Sequence, residues 1–136
     1  MESENIKNEL SKLADLKTLI LGPLFQIENN DLIDLLGQLP KLEHLGLRNK
    51  ELSPQLLTKI SELPHLVSLD LSHCENIRDE DIEILANFSQ LNSLVLSIGR
   101  NVTQIGLNRL VPLMSILKIA SSVYSQNDQV ENCAVN

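Results

Sequence analysis

The chain has 136 residues, enough for one small domain, and a net charge of −7 that argues against nucleic acid, whose footprint needs a basic face. Aromatic residues make up only 2 % and Trp is absent, so a core has to be built from aliphatic side chains. No hydrophobic run resembles a signal peptide or a membrane span, and Cys74 and Cys133 lie in unlike contexts, so no disulfide framework is expected and the compartment is read as cytoplasmic or nuclear.

Residues 3–13 (SENIKNELSKL) place Ile6, Leu10 and Leu13 at helical spacing, which predicts an N-terminal helix, a cap of about residues 1–12, over the segment that begins at Leu13. From Leu13 a spacing L-x-x-L-x-x-L-x-L takes over. It starts again at Leu39, Leu63 and Phe88, and a last copy (Leu113, Ile116, Ile119) decays at Ser121. The starts lie 24 to 26 residues apart, the sequence mark of a repeat array. Each L-x-L centre should be a short strand with its leucines inward and the residue between them outward. This places strands near Leu19–Leu21, Leu45–Leu47, Leu69–Leu71 and Leu94–Leu96, with a poorer one near Ile119.

The second half of each repeat has helical spacing, as in Leu32 with Leu35, Leu57 with Ile60, Ile82 with Leu85, and Leu107 with Leu110. Start signals precede these pairs. Ser53-Pro54 reads as an N-cap and first-turn Pro, Asp79 as a cap followed by acids at the positive end of a helix dipole, and Asn29 and Thr103 as caps of their own repeats. The run Asp79-Glu80-Asp81 is therefore read as a helix start rather than a cation site. Cys74 falls three residues after Leu71. The equivalent places hold Leu24, Lys50, Gly99 and Tyr124, and the cysteine is read as a buried turn residue, since a thiol tolerates burial well.

LDLSHCENIRDEDIEILA (residues 69–86) resembles the cysteine-containing leucine-rich-repeat subtype, roughly L-x-L-x-x-C-x-x-I-T-D-x-x-L-x-x-L. LVLSIGRNVTQIGLNRLV (residues 94–111) is similar to it, with Gly99 for the Cys and Val102-Thr103 for Ile-Thr. The resemblance implies an α/β leucine-rich-repeat solenoid over residues 13–122, of about five repeats, with parallel strands on the concave face and helices on the convex face. Residues 123–136 come next as a flexible polar tail. That subtype is best known from F-box substrate receptors of ubiquitin ligases. The twelve residues before Leu13 are too few for an F-box, so the chain resembles the substrate-reading half alone.

The function expected is a non-catalytic protein–protein interaction module, an adaptor or recognition domain whose partner is another protein. Its contact residues should lie on the concave face and adjoining turns: His44, Arg48, Ser68, Asp70, Ser72, His73, Val95, Ser97 and Arg100. His44, Ser68 and Asp70 invite a hydrolase reading, but no oxyanion loop or Gly-rich nucleophile turn accompanies them. No zinc spacing and no phosphate loop occur, so no cofactor is expected. Two alternatives come from the resemblance and from the chain end. One is substrate recognition linked to ubiquitin ligation without an F-box. The other is membrane recruitment by prenylation at Cys133, which stands four from the end before Ala134 and Val135. The last strand, with no helical half after it, is a candidate edge for self-association.

Overall fold

The computed structural model describes residues 9–10 and 12–122. Cys133, the tail 123–136 and most of the expected N-terminal helix lie outside the described residues; Glu9 and Leu10 are helical. Each L-x-L centre forms a strand: β1 (Thr18–Leu21), β2 (His44–Leu47), β3 (Ser68–Leu71), β4 (Ser93–Ile98) and β5 (Leu117–Ser122). All pair in parallel with their sequence neighbours, in one sheet of order β1-β2-β3-β4-β5. Four helices alternate with them: α1 (Asn29–Gly37), α2 (Pro54–Ser61), α3 (Asp79–Ala86) and α4 (Gln104–Arg109), the last followed by a 3-10 turn at Val111–Leu113. This is an α/β arrangement compatible with a solenoid-like repeat.

The register explains the aliphatic composition. Leu19, Leu45, Leu69 and Leu94 stand opposite one another, as do Leu21 with Leu47 and Leu71 with Leu96. Equivalent leucines form ladders between strands. Leu32, Leu35, Leu57, Ile60, Ile82 and Leu85 from the helices join them in one continuous core. Burying each such side chain contributes about 1.5–3 kcal/mol, so flat aliphatic ladders supply what aromatic rings do in a rounder core.

Two of the four helix starts follow the sequence signals. Ser53 Oγ accepts from Leu56 N at 3.1 Å ahead of Pro54, and Thr103 Oγ1 accepts from Ile105 N at 3.3 Å. The other two are corrected. In α1 the N-cap is Glu28; Asn29 is already helical, and its amide donates to Glu51 O of the next unit at 3.0 Å. In α3 the N-cap is Arg78 and Asp79 is the first helical residue. Asp81 does the capping, its Oδ2 accepting from Arg78 N at 3.0 Å, because the third helical position can fold back on the N-cap amide. Asp79 points off the helix end instead. Its carboxylate accepts from Thr103 N at 2.9 Å and from the Thr103 hydroxyl, tying α3 to the start of α4.

The fifth unit is also corrected. Its spacing places Ile119 opposite Leu94, but the strand pairs Leu117 with Leu94 and Ile119 with Leu96. A slip of two residues keeps the same face inward. It fills both inward positions with aliphatic side chains, where the expected register would put Ser121 in the second. The strand then bulges, so that Ser97 pairs with Ser121 and Ala120 is the extra residue.

Candidate functional site

The parallel register builds two outward rows. Thr18, His44, Ser68 and Ser93 form the first; Ile20, Gly46, Asp70, Val95 and Lys118 form the second. Strands about 4.8 Å apart make the face roughly 20 Å wide. The slip of β5 moves Lys118 from the first row, where spacing alone places it, into the second beside Val95. Gly46 is buried in the second row. The neighbouring Ile20, 60 % exposed, lies over it so closely that a Cβ there would meet Ile20 Cγ2 at 3.2 Å.

The nine residues expected from the sequence to make contacts do not share one environment. His44, Arg48, His73 and Arg100 are exposed, and Ser68, Asp70 and Val95 are half-buried. Ser72 and Ser97 are buried, and the Ser97 hydroxyl and the Ser72 main chain tie the turns together. Ser97 Oγ accepts from His73 N at 2.6 Å, and Ser72 O accepts from Asn49 N at 3.1 Å. Asp70 is held from two sides. Its Oδ2 takes Arg48 Nη2 at 3.3 Å and its Oδ1 takes Ser72 N at 2.9 Å. His44 and Ser68 do stand opposite each other in register, but Asp70 is turned to Arg48 and the turn.

Beyond the strand ends, a cleft of about 520 Å³ is lined by Pro23, Arg48, Asn49, His73 and Glu75. Arg48 and His73 are among the residues singled out from the sequence; Pro23, Asn49 and Glu75 are not, since the spacing that marks strands is silent on how turns from successive units converge. Asn49 (φ 57) and His73 (φ 64) are the non-glycine residues with left-handed backbone among those described, and both line this cleft. Asn and His tolerate that region better than most residues, which is the signal that was available.

Cys74 is buried beneath the same turns. Its thiol donates to Leu47 O at 2.9 Å, and its sulfur accepts from Lys50 N at 3.4 Å. Burial pushes the thiol above its ordinary value, and the backbone N–H groups of Lys50 and Asn49 oppose the shift only in part. A protonated, enclosed thiol is a poor nucleophile. Lys50, at the equivalent place one unit earlier, reaches the same kind of acceptor with a longer arm. Its ammonium donates to Gly22 O at 2.9 Å and to Phe25 O. Burial lowers its pKa, with Cys74 acting in the opposite sense.

In the acid run, Asp79 and Asp81 are engaged as described, and Asp81 Oδ1 is buried without a hydrogen-bond partner. Among the described residues, no three His, Cys, Asp or Glu side chains converge as a metal site, and no helix is long and apolar enough to cross a membrane. No protein-family model matches the chain, and no curated protein does.

Proposed function

We propose that the chain is a leucine-rich-repeat solenoid of the cysteine-containing subtype, and that it is a non-catalytic module that binds a partner protein through the outward face of its sheet and the cleft at the strand ends. The observation that carries this reading is the alignment of the two outward rows, the first over β1–β4 and the second over all five strands, with Arg48 joining them to the cleft. Small side chains in the first row (Thr18, Ser68, Ser93) let another backbone approach closely, while the larger residues beside them supply specificity. The commitment of Asp70 to Arg48 and Ser72 leaves His44 without an orienting carboxylate from that residue, which supports a binding role over hydrolysis.

The test is a comparison of surfaces. The full chain, the variant Arg48→Glu with Ser93→Arg, and the variant Gln55→Arg with Thr58→Arg on the helical face are immobilised and used to capture partners, identified by mass spectrometry. Thermal melts check that each variant is folded. Proteins held by the wild type should be lost on the sheet-face variant and kept on the helical-face variant. The reverse pattern would refute the assignment.

A further inference from the structure

Charge is distributed unevenly between the two sides of the molecule. Residues 29–37 and 79–86, which form α1 and α3, contain six acids and no Lys or Arg. Asp34, Glu80 and Glu83 among them are exposed, as are Glu51 and Glu62 on either side of α2. The outward side of the sheet differs. Lys118 in the rows and Arg48 beside them are exposed cations, His44 is an exposed imidazole, and Asp70 is the single carboxylate in the two rows. Asp70 is already paired with Arg48 and the Ser72 amide, and Glu75 adds one exposed carboxylate in the cleft, offset by the exposed Arg100 on the next turn. A chain of net charge −7 thus presents a sheet face that is neutral to positive.

We infer that this face takes an extended acidic segment of the partner, with an aliphatic residue between its acids. This rests on the sheet-face reading proposed above. The segment's chemistry follows from the local layout. His44, Gly46 and Arg48 succeed one another along β2 toward the cleft, a span of about 13 Å at the rise of an extended chain. The side chain of Ile20 lies over the buried Gly46 and presents an exposed apolar surface there. Arg48 engages Asp70 through Nη2 alone, and a guanidinium has a second edge suited to a bidentate carboxylate. An acid at Arg48, an aliphatic side chain against Ile20, and further acids toward His44 and Lys118 fit this face. The acidic helices repel the same segment from the opposite side, so the field also orients the encounter.

The experiment is selection of random dodecapeptides on the full chain, followed by fluorescence anisotropy of the selected peptides. Aliphatic–acidic peptides should be enriched. Arg48→Glu with Lys118→Glu should weaken them by about tenfold or more, Arg48→Lys by less, and raised salt should weaken them progressively. Glu62→Lys with Glu80→Lys on the helical side should leave binding intact. Thermal melts confirm that the variants fold. Selection of neutral or basic peptides that still lose binding on Arg48→Glu would overturn the acidic assignment and leave the sheet-face reading standing. Peptides insensitive to the sheet-face variant but lost on the helical one would overturn both. Binding of phosphatidylserine vesicles or single-stranded RNA at this face, with no acidic peptide selected, would also overturn the inference.

Discussion

In the third unit Leu63, Leu66, Leu69 and Leu71 are buried, with Ile82 and Leu85 closing over them from α3; in the fifth, Leu113 is buried but Met114, Ile116, Leu117 and Ile119 are only half-covered. The spacing that opens the two units is the same. What differs is the neighbour on the far side: β3 lies between β2 and β4, whereas β5 is the last strand of the described sheet. In a stack, the burial of a ladder residue is decided by the next unit as much as by its own.

The largest test of that difference is a pair of truncations. Leu69→Ala should cost about 2–5 kcal/mol, because the hole it leaves is enclosed on both sides. Ile119→Ala should cost about 1 kcal/mol, since a half-covered site loses less transfer energy and can relax. Urea unfolding measures both, and equal losses would mean that β5 is as enclosed as β3.

A second test sharpens what encloses the third unit. Cys74→Ser should cost about 1–2 kcal/mol, since a hydroxyl is harder to bury than a thiol. It should also change the response to alkali. The folded thiol is held above its ordinary value of 9.0, so the unfolded chain releases its proton first. The stabilisation from this shift is complete below that value and lost as pH rises through the folded pKa. Lys50, with its pKa lowered, acts with the opposite sign. The wild-type-minus-variant difference in unfolding midpoint therefore isolates Cys74, and it should shrink above pH 9.

A smaller effect is expected where units are tied rather than packed. Asp79→Ala removes the carboxylate that receives Thr103 N and the Thr103 hydroxyl, and should cost about 1 kcal/mol. In a double-mutant cycle with Thr103→Ala the losses should be less than additive; strict additivity would show that the Thr103 hydroxyl adds nothing to the tie and that the Thr103 N–H alone makes it. The subtlest readout is amide hydrogen exchange. The amides of Leu117–Ser122 should exchange faster than those of Ser68–Leu71 at all protein concentrations. Protection that rises with concentration would instead place a second molecule on the β5 edge.

The strands and most helices were legible because their signals are periodic, and periodicity depends on local backbone geometry alone. Ser53 and Thr103 were legible as caps because one side chain and one amide complete the interaction. Asp79 misled because an acid before a helix looks the same in sequence whether it bonds its own amides or those of the next unit. The slip of β5 was hidden because Leu117 and Ile119 satisfy the inward alternation as well as the spaced residues do. Of the candidate site, the outward rows followed from alternation, whereas the burial of Ser72 and Ser97 depends on turns brought together from successive units.

Gly99 occupies in the fourth unit the place that Cys74 holds in the third, and a Cβ built there would lie 2.2 Å from the backbone oxygen of Glu75. The units are therefore not interchangeable parts. Placing a cysteine at Gly99, as in the third unit, would put a side chain inside the preceding turn, and a chain designed from one averaged unit would have to redraw the turn at this junction. Of the two products of unequal recombination between these segments, the lengthened one that follows the Glu75 turn with a cysteine would carry a steric fault at the seam, whereas the shortened one would lose the Cys74 thiol and its bond to Leu47 O.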